Sequence, residues 1–252
     1  MTTVKDIYEF IDSFAPFETA ESFDNTGILV GNSHTEITKA MVSLDITSEV
    51  IEEAVKFGSQ LIVSHHPVIF NPVKRVMSDS VVYKLIENGI SAICAHTNLD
   101  KSPVFGVNTE LAKAITLKNI RVSQNNDILF LGETEDIINI DKFANIVKRN
   151  LDCQSIAYTA VRKNIQKVGL CSGAGGSEVF SAIGEHCDAF VTGEIKHHEI
   201  IAANESGMSV FVLGHYKSED VVIEPLRKKL SERFFDVEFK KSQSFNDKIV
   251  FN

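Results

Sequence analysis

Short apolar runs recur along this chain between helical patterns, and nearly every run ends in residues suited to binding a ligand. The runs are AMVSLDI over 40–46, LIV over 61–63, SAIC over 91–94, KVGLC over 167–171, AFV over 189–191 and VFVL over 210–213. Uninterrupted apolar segments of this kind suit strands buried on both faces. Amphipathic helical segments lie between them. One, over 48–57, has an N-cap in Thr47 or Ser48 and a stop at Gly58. Strand and helix in alternation predict an α/β protein with mixed, largely parallel sheets.

The pattern breaks over 119–140, which is more polar and turn-rich and includes Gln124, Asn125, Asn126 and Asp127. A domain junction is expected there, giving a first α/β domain over 1–125 and a second α/β region over 126–252. The alternations at 237–239 and 249–251 read as closing or edge strands, and the C-terminal segment is expected to complete the first domain. The second half repeats the alternation of the first without a sequence repeat that would prove duplication.

With 252 residues, 44% of them hydrophobic and 23% charged, the chain carries enough apolar material for packed cores and is not a disordered protein. No apolar stretch approaches the roughly 18 residues of a membrane span, and the first residues lack a signal-peptide pattern, so a cytoplasmic location is expected. Cys94, Cys153, Cys171 and Cys187 form no C-x-x-C motif and are read as reduced, with Cys94 and Cys171 as small core residues. A net charge of −9 without a long basic run disfavours nucleic acid as a partner.

In open α/β sheets ligands bind beyond the carboxyl ends of strands. The residues after the predicted strands are Ser64-His65-His66-Pro67, then His96 to Asp100, then Thr192-Gly193-Glu194, then Gly214-His215. His65 and His66 can serve one site only if their strand has ended, because neighbours within a strand point to opposite faces; otherwise one is buried and the other exposed. His215 and Glu219 share a helix face if the helix begins near His215. If it begins at Ser218, that residue is an N-cap and Glu219 only favours the dipole. Asp100 is either a metal-bridging acid or a turn cap, and His96 is a group behind the ligands or a proton carrier. His65, His66, Asp100, His215 and Glu219 together suit two divalent ions in a cleft between the domains. Imidazole and carboxylate without thiolate do not choose among Zn, Mn, Fe, Co and Ni. Such ions can activate water for hydrolysis.

Two further motifs lie beside these. The turn Gly173, Ala174, Gly175, Gly176, Ser177 either offers backbone N–H groups to a phosphate or is a tight strand-to-helix connection. Past it, Glu194 is a candidate site-facing acid. His197 and His198 either face the cleft or form a solvated first turn.

These segments resemble the Nif-three-like proteins, known in bacteria as GTP cyclohydrolase 1 type 2 homologs, over almost the whole chain. The likeness rests on ESFDNTGILVG over 21–31, SLDIT over 43–47, SHHPVIF over 64–70, HTNLD over 96–100, the turn at 173–177, TGE over 192–194 with His197 and His198, and Gly214-His215 with Ser218-Glu219. It implies a dinuclear site on His65, His66, Asp100, His215 and Glu219, two related α/β domains, and a toroidal homohexamer of the short form that lacks an inserted domain. Phe23 stands where the family pattern usually has Trp, and a packing consequence alone is expected.

The family name implies a metal-dependent hydrolase acting on a nucleotide, with water attacking C8 of guanine. His96, Glu194 or His198 would move protons, and Gly173, Gly175, Gly176 and Ser177 would hold phosphates. Two other readings belong to different classes. A metal chaperone or insertase predicts exchangeable metal without nucleotide turnover. A metal-stabilised interaction scaffold predicts that chelation takes the assembly apart.

Overall fold

The computed structural model describes residues 1–249 and divides into two compact units, Met1–Ser102 with Val222–Asn246, and Pro103–Val221 with the described residues from Asp247 on. Numbered through the chain, the first unit holds α1 (Val4–Asp12), β1 (Gly27–Val30), β2 (Lys39–Ser43), α2 (Ser48–Phe57), β3 (Leu61–Ser64), α3 (Val81–Glu87), β4 (Ser91–Cys94) and α4 (Thr97–Lys101). From the C-terminal part of the chain it takes α10 (Ile223–Arg233) and β11 (Glu238–Lys241). Among the described residues these strands form one sheet in the order β1-β4-β3-β2-β11. The middle of the sheet is parallel, with α2 and α3 as crossovers, β11 runs parallel to β2, and β1 closes the far edge antiparallel to β4.

The local reasons are plain in the sequence. Thr47 caps α2 by accepting a hydrogen bond from Val50 N at 3.3 Å, and Gly58 ends it in the left-handed conformation at φ 80°. All four residues of β3 are buried, as a central strand requires. The strand expected over 40–46 stops at Ser43, because the chain turns through Leu44, Asp45 and Ile46 to reach the cap. That turn sets Asp45 at the strand end.

The second unit holds α5 (Val107–Ala114), β5 (Lys118–Val122), β6 (Phe130–Asn139), α6 (Ile140–Asn150), β7 (Ala157–Tyr158), β8 (Asn164–Cys171), α7 (Val179–Gly184), β9 (Ala189–Thr192), α8 (His197–Glu205), β10 (Ser209–Val212) and α9 (His215–Glu219). Its sheet runs β5-β6-β8-β9-β10-β7, with β8, β9 and β10 parallel through α7 and α8. The flanking pairings are antiparallel. Neighbouring residues such as Phe190 and Val191, or Val210 and Phe211, enter two separate core clusters, so these strands are buried on both faces.

The junction expected at 125/126 lies inside this unit. Arg121 pairs with Leu131 and Val122 with Phe130 across it, and the polar stretch is the loop of that hairpin. Asn126 folds the loop by accepting from Ile128 N and Leu129 N, both at 3.1 Å. The compact units part at Ser102/Pro103 instead. Val250 and Phe251 of the strand expected over 249–251 lie outside the described residues. The four cysteines are free and buried. Among the described residues, no helix is long and apolar enough to cross a membrane.

Candidate metal centre

In the first unit β3 ends at Ser64, so His65 and His66 follow the strand. Their backbone N–H groups still donate to Ser43 O (3.3 Å) and Leu44 O (2.9 Å). The two rings come together, with centroids 5.0 Å apart. His96 leaves the end of β4 and enters the same group. One ring nitrogen each of His65, His66 and His96 lie within 4.8 Å of one another, a set that can hold a metal ion. Asp100 is one turn further along α4, buried, with Oδ1 3.5 Å from His65 Nε2.

Each imidazole is fixed from behind. His65 Nδ1 donates to Ala95 O at 2.8 Å, and a carbonyl cannot donate, so Nδ1 carries the proton. His66 Nδ1 lies 3.0 Å from Asp45 Oδ1, and His96 Nδ1 lies 2.9 Å from Asp24 Oδ1. The Asp24 side chain is fully buried and its carboxylate also accepts from Thr97 N (3.0 Å) and Thr97 Oγ1 (2.5 Å). Burial pushes its pKa up, but the hydrogen bonds from His96 and Thr97 outweigh it and hold the carboxyl well below the usual range. Cys94 sits beside this group without joining it as a thiolate. Burial, with Asp24, Asp100 and Asp45 adding, raises its thiol pKa, and Sγ–H donates to His65 O at 3.0 Å.

In the second unit the helix α9 begins at His215, directly after Gly214 at φ 82°. The i, i+4 reading therefore holds: His215 Nε2 and Glu219 Oε2 are 3.1 Å apart. Ser218 is not an N-cap; its hydroxyl accepts from Gly173 N at 2.9 Å and donates to His215 O at 2.8 Å. Glu194, after β9, accepts from His215 Nδ1 at 2.8 Å.

Of the turn expected to cradle phosphate through Gly173, Gly175, Gly176 and Ser177, two N–H groups are bonded within the protein. Gly173 N is bonded to Ser218, and Gly175 N donates to Ser172 O at 3.1 Å. Gly173 has φ +57°, and a Cβ there would fall 2.0 Å from Glu219 Oε1, so only glycine leaves room for that carboxylate. A Cβ on Gly176 would fall 2.6 Å from Glu194 O, so the turn lets the chain after β9 approach closely. Ser177 and Gly176 do line a pocket of about 180 Å³ together with Glu194 and Lys196. His198 is 70% exposed on the first turn of α8, the solvated alternative; its neighbouring acid is Glu199 at 4.0 Å.

The donor set fits a divalent cation. With Nδ1 of His65 and His215 bonded to oxygen acceptors, each Nε2 faces a carboxylate oxygen, at 3.5 Å and 3.1 Å. Positive charge holds such a pair together, supplied either by a proton on Nε2 or by a cation bound between the two atoms. Ligands bound tetrahedrally at about 2.0–2.1 Å are roughly 3.3 Å apart, close to both gaps. Sequence reasoning missed the roles of Asp24 and Asp45, which act through histidines distant in sequence. It placed Glu194 at the site but as an acid, not as the support of His215.

Fold and site thus define an α/β protein of two mixed sheets with histidine and carboxylate groups able to hold a metal ion. Residues 2–248 match Duf34/NIF3 (NGG1p interacting factor 3), and the chain belongs to that family. A Clostridium perfringens protein named GTP cyclohydrolase 1 type 2 homolog is 30% identical, with 98% of this chain and 99% of that one aligned. A Campylobacter jejuni protein of the same name is 32% identical over 90% of this chain and 91% of its own. Among solved structures, the Staphylococcus aureus protein SA1388 superposes with a TM-score of 0.91 at 27% identity, over 100% of this chain and 99% of that one. Reduced HcgD from Methanocaldococcus jannaschii gives 0.82 at 30% identity, over 96% and 98%.

Proposed function

We propose that the chain is a cytoplasmic, metal-dependent hydrolase of the GTP cyclohydrolase kind, acting on a nucleotide or related heterocycle. His65, His66, Asp100, His215 and Glu219 hold a pair of divalent ions, and a toroidal homohexamer is the working form. The observation that carries this reading is the common orientation of the imidazoles. Oxygen acceptors on Nδ1 of His65, His66, His96 and His215 aim each Nε2 away from its support.

Bound ions would supply Lewis acidity and a hydrolytic nucleophile from water at neutral pH. The chain's own residues then divide the work. His65 and His66 present neutral imidazole nitrogen, and Asp100 and Glu219 present charge from buried positions. His96, steadied by Asp24, is the group placed to accept or return a proton at Nε2. Glu194 keeps His215 in one tautomer, and His198, being solvated, is left out of proton movement.

The test is GTP turnover by purified protein of known metal content, followed by absorbance and by formate release, beside a His65→Ala/Glu219→Ala double variant. Metal-dependent turnover that the double variant lacks is the expected result. A fully metallated protein that leaves GTP intact, yet exchanges its metal readily, would favour metal delivery over hydrolysis.

A further inference from the structure

Phe23 is 65% exposed and Phe70 is 45% exposed, although each lies on a segment that polar contacts hold in place. The residues that follow Phe23 supply those contacts. Asp24 is buried against His96 and Thr97, and Asn25 Nδ2 donates to Ile69 O at 2.5 Å, tying the 21–31 segment to the 64–70 segment. The two phenyl rings are thereby held with centroids 6.5 Å apart and planes inclined by 54°.

From there the rings continue inward. Phe70 meets His96 at 6.4 Å and 81°, and His96 meets His66 at 5.6 Å and His65 at 5.2 Å. An unbroken run of five rings therefore leads from solvent at Phe23 to the fully buried His65. Polar anchoring of an exposed apolar side chain lowers the entropy lost when something packs on it, a form of preorganisation. Aromatic faces attract other π-systems, and stacking tolerates any base because every base has a π-face.

We propose that Phe23 and Phe70 form a stacking platform for the planar heteroaromatic ring of the substrate, a nucleobase or a base-like heterocycle, beside the histidine cluster. The proposal deepens the hydrolase reading and rests on it for the choice of ligand. It assigns Phe23 and Phe70 to binding, with no part in proton transfer or metal ligation. It also predicts selectivity for the ring over the phosphates.

The chain has no tryptophan, so Phe23→Trp places a single tryptophan in the platform, whose emission is excited selectively above the tyrosine absorption. Metal-loaded F23W is titrated with guanosine, GTP and inorganic triphosphate. Guanosine and GTP should quench the emission, triphosphate alone should not, and adding Phe70→Ala should weaken guanosine binding by about tenfold, the size of one lost stacking contact. Calorimetric titration of guanosine into the unsubstituted protein and into Phe23→Leu and Phe70→Leu repeats the comparison if the tryptophan variant folds poorly.

No guanosine binding by either method, or equal binding with and without Phe70, overturns the platform. So does emission that changes on dilution and ignores nucleosides, which would assign the rings to an interface between copies. Base stacking without GTP turnover keeps the platform and removes the hydrolase reading, while turnover without stacking does the reverse.

Discussion

Asp45 and Glu194 each commit a carboxylate oxygen to the Nδ1 of one imidazole, at 3.0 Å on His66 and 2.8 Å on His215. Neither is deeply buried, so neither holds up a core. Their contribution is to fix a tautomer and a ring direction, and losing such a support typically weakens metal affinity about 10–100-fold. Asp45→Ala and Glu194→Ala should therefore bind metal more weakly by that factor, measured by competition with a chromogenic chelator, with little change in melting temperature. Asp24→Ala should behave otherwise. Its carboxylate is fully buried and takes hydrogen bonds from His96, Thr97 N and Thr97 Oγ1, which would be left without an acceptor. A loss of about 3 kcal/mol in urea denaturation is expected, since each orphaned buried donor costs about 1–3 kcal/mol. Equal melting behaviour for all three variants would refute the distinction. The packing consequence expected at Phe23 belongs to this scale too: that ring is mostly exposed and meets Phe70, so it bears on the surface and not on a core.

At the scale of elements, the turn after β8 and the clasp around α2 show what short segments decide. Gly173 and Gly207 both have positive φ, at +57° and +80°, but only Gly173 has a neighbour that a Cβ would strike. Gly207→Ala should lose only the stability that backbone strain costs, about 1 kcal/mol. Gly173→Ala should in addition displace Glu219 and lower metal content in elemental analysis, and full metal content in that variant would mean Glu219 is not a ligand. On α2, Glu53 accepts from Ser242 Oγ and from the backbone N–H of Gln243 and Ser244, and pairs with Lys240 at 3.1 Å. Burial opposes the charge, but these bonds outweigh it and bring its pKa from 4.5 down to about 2. A depressed carboxylate contributes stability that is complete above the unfolded value and lost as pH falls, so this contribution fades between pH 4.5 and 2. Glu53→Gln should cost about 2 kcal/mol at pH 7 and progressively less toward pH 2, followed by urea denaturation across that range. Both devices bear on what the sequence disclosed. The buried central strands β2, β3 and β4 of one sheet and β8, β9 and β10 of the other, with the helix from Ser48 to Phe57, were legible because burial on two faces and a cap leave local signatures, whereas β1, β5, β6 and β7 were not read as strands. The start of α9 at His215 was one of two local options, settled by Ser218 turning its hydroxyl to Gly173, 45 residues away. The hairpin at 118–139 was misread as a junction, because polar residues mark a loop whether it joins two strands or two domains.

For the whole molecule, the question is whether metal builds the fold or occupies a fold already built. Each unit has its own sheet and its own buried cluster, Met41, Ile51, Ile62 and Leu85 in the first, Phe130, Phe143, Ile165 and Phe211 in the second. The first unit is completed by chain, not by an ion: Val222–Asn246 returns to it, and β11 extends the sheet beside β2. Small metal-dependent domains lack such cores and unfold without their ions. Here an ion that binds only the folded state adds stability by mass action, about 4 kcal/mol at a thousandfold excess over its dissociation constant. Chelation should therefore lower the melting temperature by roughly 10 °C while circular dichroism and the mass by light scattering stay unchanged. Readdition of zinc or manganese should restore the higher melting temperature. Dissociation into single chains on chelation, with the far-ultraviolet spectrum intact, would instead make the metal a structural link between copies and support the scaffold reading over the enzyme.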